Sequence, residues 1–137
     1  MADLVDRVAI VTGGSRGIGR AITLALAKEG ATVIPCARNA DRLSSLPAEA
    51  ADLRYIGKII PRPLDVTAAE KTEQWVDSVA SDFGRLDILV NNAGITRDGL
   101  FMNMTNEQFD EVVNTNLRAV FLVTRAVAKY MVRARWG

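Results

Sequence analysis

Histidine is absent from this sequence, and cysteine occurs once, at Cys36. Without histidine there is no serine–histidine or cysteine–histidine relay, and most zinc sites lose a customary ligand. A lone cysteine excludes an internal disulfide and a cysteine metal cluster, so no metal site is expected. An excess of either charge is also missing: 17 Lys and Arg against 16 Asp and Glu leave a net +1. That balance gives no whole-chain argument for nucleic acid or an anionic membrane. No apolar run approaches the roughly 18 residues of a membrane span. Asp3, Asp6 and Arg7 stand where a signal peptide would carry its apolar core. Internal repeats and low-complexity segments are absent too. The expectation is a cytoplasmic protein with neither nucleic-acid nor membrane partners.

What is present is an ordinary globular composition, 49% apolar and 24% charged. Its 137 residues suffice for one domain, 1–137, with a buried core. The most informative stretch is Thr12-Gly13-Gly14-Ser15-Arg16-Gly17-Ile18-Gly19. Before it, Val8 to Val11 form a β-branched run suited to a strand buried on both faces. After it, Ile18, Ala21, Ile22, Ala25 and Leu26 fall at helical spacing, predicting one apolar face, with Gly30 as the stop. A glycine turn between strand and helix lets backbone approach a diphosphate, and the helix N-terminus attracts the anion. Taken alone, the glycines also fit a flexible connection without a ligand.

Strand and helix patterns then alternate. The spacing predicts strands at 7–12, 32–36, 59–64 and 86–90, with helices over 17–29 and roughly 41–51. Thr67-x-x-Glu70 reads as a capping box opening a helix with Trp75, Val76, Val79 and Phe83 inside and Gly84 as its stop. Thr105-x-x-Gln108 opens a long helix with Phe109, Val112, Val113, Leu117, Val120, Phe121, Val127 and Met131 on one face. Such alternation means βαβ units and a doubly wound parallel sheet, Rossmann-like, with strand order 3-2-1-4. Ligands collect beyond the carboxyl ends of strands 1 and 4, where the glycine turn and Asn91-Asn92-Ala93-Gly94 converge.

Thr12 to Gly19, Asp65-Val66, Asn91 to Gly94, Ile95-Thr96-Arg97-Asp98 and Asn114-Thr115-Asn116-Leu117 together carry a resemblance that covers nearly the whole chain. With these motifs the sequence resembles the short-chain dehydrogenases/reductases, and among them the bacterial 3-oxoacyl-acyl-carrier-protein reductases. The resemblance implies a nicotinamide cofactor across the carboxyl edge of the sheet and hydride transfer to a carbonyl. It implies cofactor contacts from Gly13, Ser15, Arg16, Gly17, Ile18 and Gly19, from Asp65 and Val66 near adenine, and from Asn92, Ala93 and Gly94. It also implies an acyl thioester on acyl carrier protein as substrate, and a homotetramer for the complete family. Asn116 matches the catalytic asparagine that distorts its helix and orders a water. Asp65 could instead support the following cap, and Asn116 could make a structural hydrogen bond to nearby backbone.

Cofactor choice can be argued from charge. A carboxylate about 20 residues past the turn would hold the ribose hydroxyls of NAD and repel a 2′-phosphate. Here the second strand ends in Cys36-Ala37-Arg38, and Arg16 lies in the turn. The missing carboxylate, with Arg38 in its neighbourhood and Arg16 in the turn, favours NADP(H), unless both arginines are simply solvated.

The family's serine, tyrosine and lysine set has no counterpart here: Tyr55 is followed four residues on by Ile59, and Tyr130 by Ala134. The sequence reads as the N-terminal half of a reductase, ending after the fourth βα unit and expected to be inactive alone. The competing readings are a non-catalytic dinucleotide-binding piece, or a reductase of another carbonyl such as acetoacetyl-CoA.

Overall fold

The computed structural model describes residues 3–137. Four parallel strands form one sheet in the order β3-β2-β1-β4, as the alternation predicts. They are β1 (Val8–Thr12), β2 (Thr32–Cys36), β3 (Lys58–Ile59) and β4 (Ile88–Val90). The helices are α1 (Gly17–Lys28), α2 (Leu46–Asp52), α3 (Ala69–Phe83), α4 (Asn106–Val113) and α5 (Ala119–Ala134). All five residues of β1 are buried, so both faces of the sheet are covered. On one face Ile10 and Ile34 pack with Val76 and Val79 of α3 and Val123 and Val127 of α5. On the other, Val11 and Val33 pack with Ala27 of α1 and Leu46 and Ala50 of α2.

Several boundaries and faces differ from the sequence expectation. The fully buried seam of α1 is Gly19, Thr23 and Ala27; of the expected stripe, Ile22 and Leu26 pack half-buried against the core while Ile18, Ala21 and Ala25 are exposed. Ile18 is 74% exposed. The glycine turn draws the start of the helix so near the sheet that a side chain at Gly19 would strike the Gly13 carbonyl. Thr23 turns its hydroxyl back onto the Gly19 carbonyl at 2.9 Å.

The third strand is shorter than 59–64, and Pro35 explains why. Ile60, Arg62 and Leu64 still donate to the carbonyls of Val33, Pro35 and Ala37 at 2.9–3.1 Å. Pro35 has no N–H to return, so the ladder is one-sided from there on. Pro61 and Pro63 alternate with those donors and sit where their missing N–H groups face the free edge. The fourth strand begins at Ile88 and not at residue 86. The charged segment after β2 divides into a single 3₁₀ turn, Ala40–Arg42, and α2, which Pro47 opens.

The capping box expected at Thr67 is not formed; α3 starts after Ala68 without a side-chain cap. The hydroxyl and N–H of Thr67 both donate to Asp65 Oδ1 instead, at 2.6 and 3.0 Å. The box at Thr105 and Gln108 is present in both directions.

The predicted long helix is interrupted by a π-helical turn, Asn114–Arg118. That wider turn rotates the helix, so the single apolar face does not continue through it. Leu117 and Phe121 become 68% and 59% exposed, while Thr115, Ala119, Leu122 and Val123 turn inward.

At the amino end of the sheet, Asp87 ties β4 to β1. Its carboxylate accepts from the Val8 N–H at 2.9 Å, Arg7 at 3.2 Å and two Arg85 nitrogens at 2.7 Å. Asp87 is 4% exposed. Burial pushes its pKa up, but the donors from Arg85, Val8 and Arg7 outweigh it and hold the carboxyl below its usual range. A lowered folded-state pKa stabilises the fold above about pH 4, and this contribution disappears as pH falls through the folded value. Asp87→Ala should cost about 2 kcal/mol at neutral pH, because the Val8 N–H and two guanidinium groups lose their acceptor. Urea unfolding at pH 7 and pH 3 checks this: the difference from the parent chain should shrink at the lower pH.

Candidate functional site

The parallel strands aim their carboxyl ends at one edge, and a cleft of about 500 Å³ lies there. Gly13, Ser15, Arg16, Gly17, Ile18, Arg38, Asp65, Val66, Asn92, Ala93 and Gly94 all line it, as expected from the sequence. Gly19 does not. It lies underneath, where a side chain would strike the Gly13 carbonyl and the Asn92 amide, so its role is to let α1 sit close.

The floor is built on one hydroxyl. Thr12 Oγ1 accepts from the N–H groups of both Asn92 and Ala93 at 3.0 Å and lies 3.4 Å from the Val90 carbonyl, to which it donates. Asn92 Nδ2 in turn donates to the Gly13 carbonyl at 3.1 Å. Asn91 faces α5, donating to Thr124 Oγ1. The glycine turn is fixed to β2 as well, through the Gly14 N–H and the Cys36 carbonyl at 3.1 Å. Gly13 takes φ +65°, and a Cβ there would come within 2.9 Å of Ala93 Cα.

The wall facing this floor is the N-terminus of α1. No side chain caps it, and no acidic residue occupies its first turn. Its free N–H groups and the positive end of the helix dipole are therefore available to an anion. Arg16 and Arg38 add positive charge, and neither forms an ion pair within 4 Å among the described residues. Asp65 is the acidic group of the cleft. The Thr67 hydroxyl holds its pKa below the usual carboxylate range against the effect of burial, with help from the Thr67 N–H, Arg38 and Lys71. These features fit a dinucleotide: a diphosphate cradle at Gly13 to Ile18, cations at the β2 end and an apolar shelf at Leu64 and Val66.

Asn116 lies outside the main cleft, in an adjoining cavity of about 420 Å³ with Arg16, Gly94, Ile95, Thr96 and Arg97. It is exposed. Both ends of its amide bind one residue: Oδ1 accepts from the Ile95 N–H and Nδ2 donates to the Ile95 carbonyl, both at 2.8 Å. The π-turn lets it reach that far. Tyr130 points away from the cleft and donates to Asp77 on α3.

Cleft residues that the sequence reading missed include Cys36, Leu64, Thr67, Ile95 and Thr115. Leu64, Ile95 and Thr115 each adjoin a residue that was singled out, which was the available signal. Cys36 is buried, and burial pushes its thiol up to about 12 against the pull of a Gly13 backbone hydrogen bond. It is a neutral packing group at neutral pH.

The sequence profile of the short chain dehydrogenases matches residues 7–137. This chain belongs to that family. Among its curated relatives, the 3-oxoacyl-[acyl-carrier-protein] reductase FabG of Thermotoga maritima is 46% identical over 98% of this chain and 54% of that protein. FabG of Vibrio harveyi is 40% identical over 98% of this chain and 53% of its own length. The short-chain dehydrogenase chain thus spans about half the length of the curated relatives it matches. Among solved structures, a metagenomic short-chain oxidoreductase in complex with NADP aligns with a TM-score of 0.92 at 33% identity, over 98% of this chain and 60% of that one. A short-chain type dehydrogenase/reductase from Mycobacterium marinum gives 0.91 at 36% identity, over 99% and 54%. Among the described residues no helix is long and apolar enough to cross a membrane, and no cluster of metal-ligating side chains occurs.

Replacing Thr12 by valine keeps the shape but leaves the Asn92 and Ala93 N–H groups without an acceptor. The expected loss is about 2 kcal/mol, since each of the two stranded, half-buried donors costs about 1 kcal/mol, the low end of the usual range. Chemical unfolding measures it, and hydrogen exchange should speed up at Ala93 before the core. Thr12→Ser should restore most of the protection.

Proposed function

We propose that this chain is the NADP(H)-binding half of a reductase that converts 3-oxoacyl-acyl-carrier-protein to the 3-hydroxyacyl form in fatty acid biosynthesis. The observation that carries the cofactor reading is the charge at the end of β2. Arg38 and Arg16 line the cleft, and the carboxylate that would select NAD is missing from the position after Cys36. In this reading Arg38 and Arg16 hold the 2′-phosphate, the Gly13 to Ile18 turn holds the diphosphate, and Asp65 and Val66 border the adenine. Asn92, Ala93 and Gly94 then lie toward the nicotinamide, which supplies the hydride. Asn116 keeps the Ile95 segment in place beside that end and, as the proposed catalytic asparagine, helps order a proton path. The substrate assignment leans on the FabG relatives, whose names give their activity, and on the Ile95-Thr96-Arg97-Asp98 element.

A tyrosine followed four residues later by lysine does not occur in these 137 residues. The proposal therefore assigns binding to this chain and turnover to the full-length protein, where a homotetramer and an acyl-carrier-protein partner are expected. A general acid contributes typically about 10²–10⁴ in rate. This chain with NADPH and an acetoacetyl thioester should show no NADPH consumption above background.

Arg38→Asp tests the cofactor reading. A charge-assisted bond of about 1.5–3 kcal/mol corresponds to roughly tenfold or more in affinity. Isothermal titration should find the preference for NADPH over NADH erased or reversed in the variant. An unchanged ratio of the two dissociation constants would remove Arg38 from the phosphate site.

A further inference from the structure

The ten residues between Val90 and Phe101 contain no helix or strand, yet they border both the main cleft and the adjoining cavity. Side-chain ties at successive points hold this stretch. Asn92 and Ala93 are bound to Thr12, and Ile95 is bound at both its N–H and carbonyl by Asn116. The next tie is a salt bridge. Arg97 Nη2 and Nε donate to the two oxygens of Glu111 at 2.6 and 3.0 Å, and Nη1 donates to the Thr96 carbonyl at 2.9 Å. A guanidinium and a carboxylate paired in this parallel, two-bond manner fix orientation as well as distance.

Glu111 and Asn116 stand five residues apart, on either side of the point where α4 enters the π-turn. Both grip the same short segment, one at Ile95 and one at Arg97. From the geometry we infer that Arg97 and Glu111 are a positioning pair, setting the Gly94–Arg97 wall of the cleft and so the seat of the nicotinamide end of the dinucleotide. The inference rests on the dinucleotide reading above. With Arg38 at the β2 end and the glycine turn in the middle, Gly94 and Ile95 lie at the opposite end of the cleft. The pair therefore supports the ring end and not the 2′-phosphate end. Arg97 and Glu111 have 40% and 42% of their side chains exposed, so replacing either leaves the core untouched.

The experiment uses this chain with two probes, NADPH and 2′-phospho-ADP-ribose, which lacks only the nicotinamide ring. Arg97→Gln, Glu111→Gln and the double variant are titrated with each. Breaking an exposed but well-aligned pair is expected to weaken NADPH about three- to fivefold and to reduce the fluorescence gain of its bound ring. Binding of 2′-phospho-ADP-ribose should stay within about twofold, and the double variant should lose no more than either single one. Equal losses for both probes, additive losses, or unchanged NADPH binding in all three variants would each overturn the assignment. Failure of the parent chain to bind either probe would instead overturn the dinucleotide reading, and this assignment with it.

Discussion

How near α1 can come to the sheet is the constraint on which the rest depends. Gly14 lies against Pro35 of β2, Gly19 lies over the Gly13 carbonyl, and the seam continues through Thr23 and Ala27. Larger side chains along that line would lift the helix and carry its N-terminus away from the strand ends. The uncapped N–H groups would then no longer face Gly94, Asp65 and Arg38 across a single cleft. The placement of the uncapped helix N-terminus and the packing of the core are set by one geometric fact, the thinness of the layer between helix and sheet.

A second layer of control comes from polar side chains used as fasteners. Thr12, Asn92, Asn116, Asp87 and Arg97 each bind backbone or charge belonging to a different element, with sequence separations from 14 to 81 residues. Most sit at strand ends, where the ladder stops and backbone groups would otherwise be left unpaired. Placing such bonds around the cleft converts a run without regular structure into a defined surface.

Strand order, the glycine turn and about two thirds of the residues lining the cleft were legible in the sequence. Those features are written in local chemistry: β-branched runs, glycines where backbone must approach, and turn residues after strands. The helix faces were harder to read. In α1 the residues closest to the sheet are the small Gly19, Thr23 and Ala27, and the bulkier Ile22 and Leu26 pack half-buried beside them. In the long helix the periodic count ran straight through Leu117, Val120 and Phe121, while the π-turn at Asn114–Arg118 shifted the phase beneath it. Thr67 matched a capping pattern, yet its N–H and hydroxyl both donate back to the Asp65 carboxylate, and the helix begins only after Ala68. Asn116 drew notice in the sequence, but its partner, the Ile95 backbone, is 21 residues away and visible only in three dimensions.

The pairing of β4 with β1 covers only three residues, Ala9 with Ile88 through Val11 with Val90. So short a ladder specifies alignment weakly. It is bracketed, however, by Asp87 holding the Val8 N–H at one end and Thr12 holding Asn92 and Ala93 at the other. A slip of a single residue, about 3.3 Å along the strand, would break both brackets together and turn every side chain of β4 to the opposite face. The strand is therefore indexed like a key cut at both ends, and the distance between the two motifs of the cleft is fixed by side chains that never enter it.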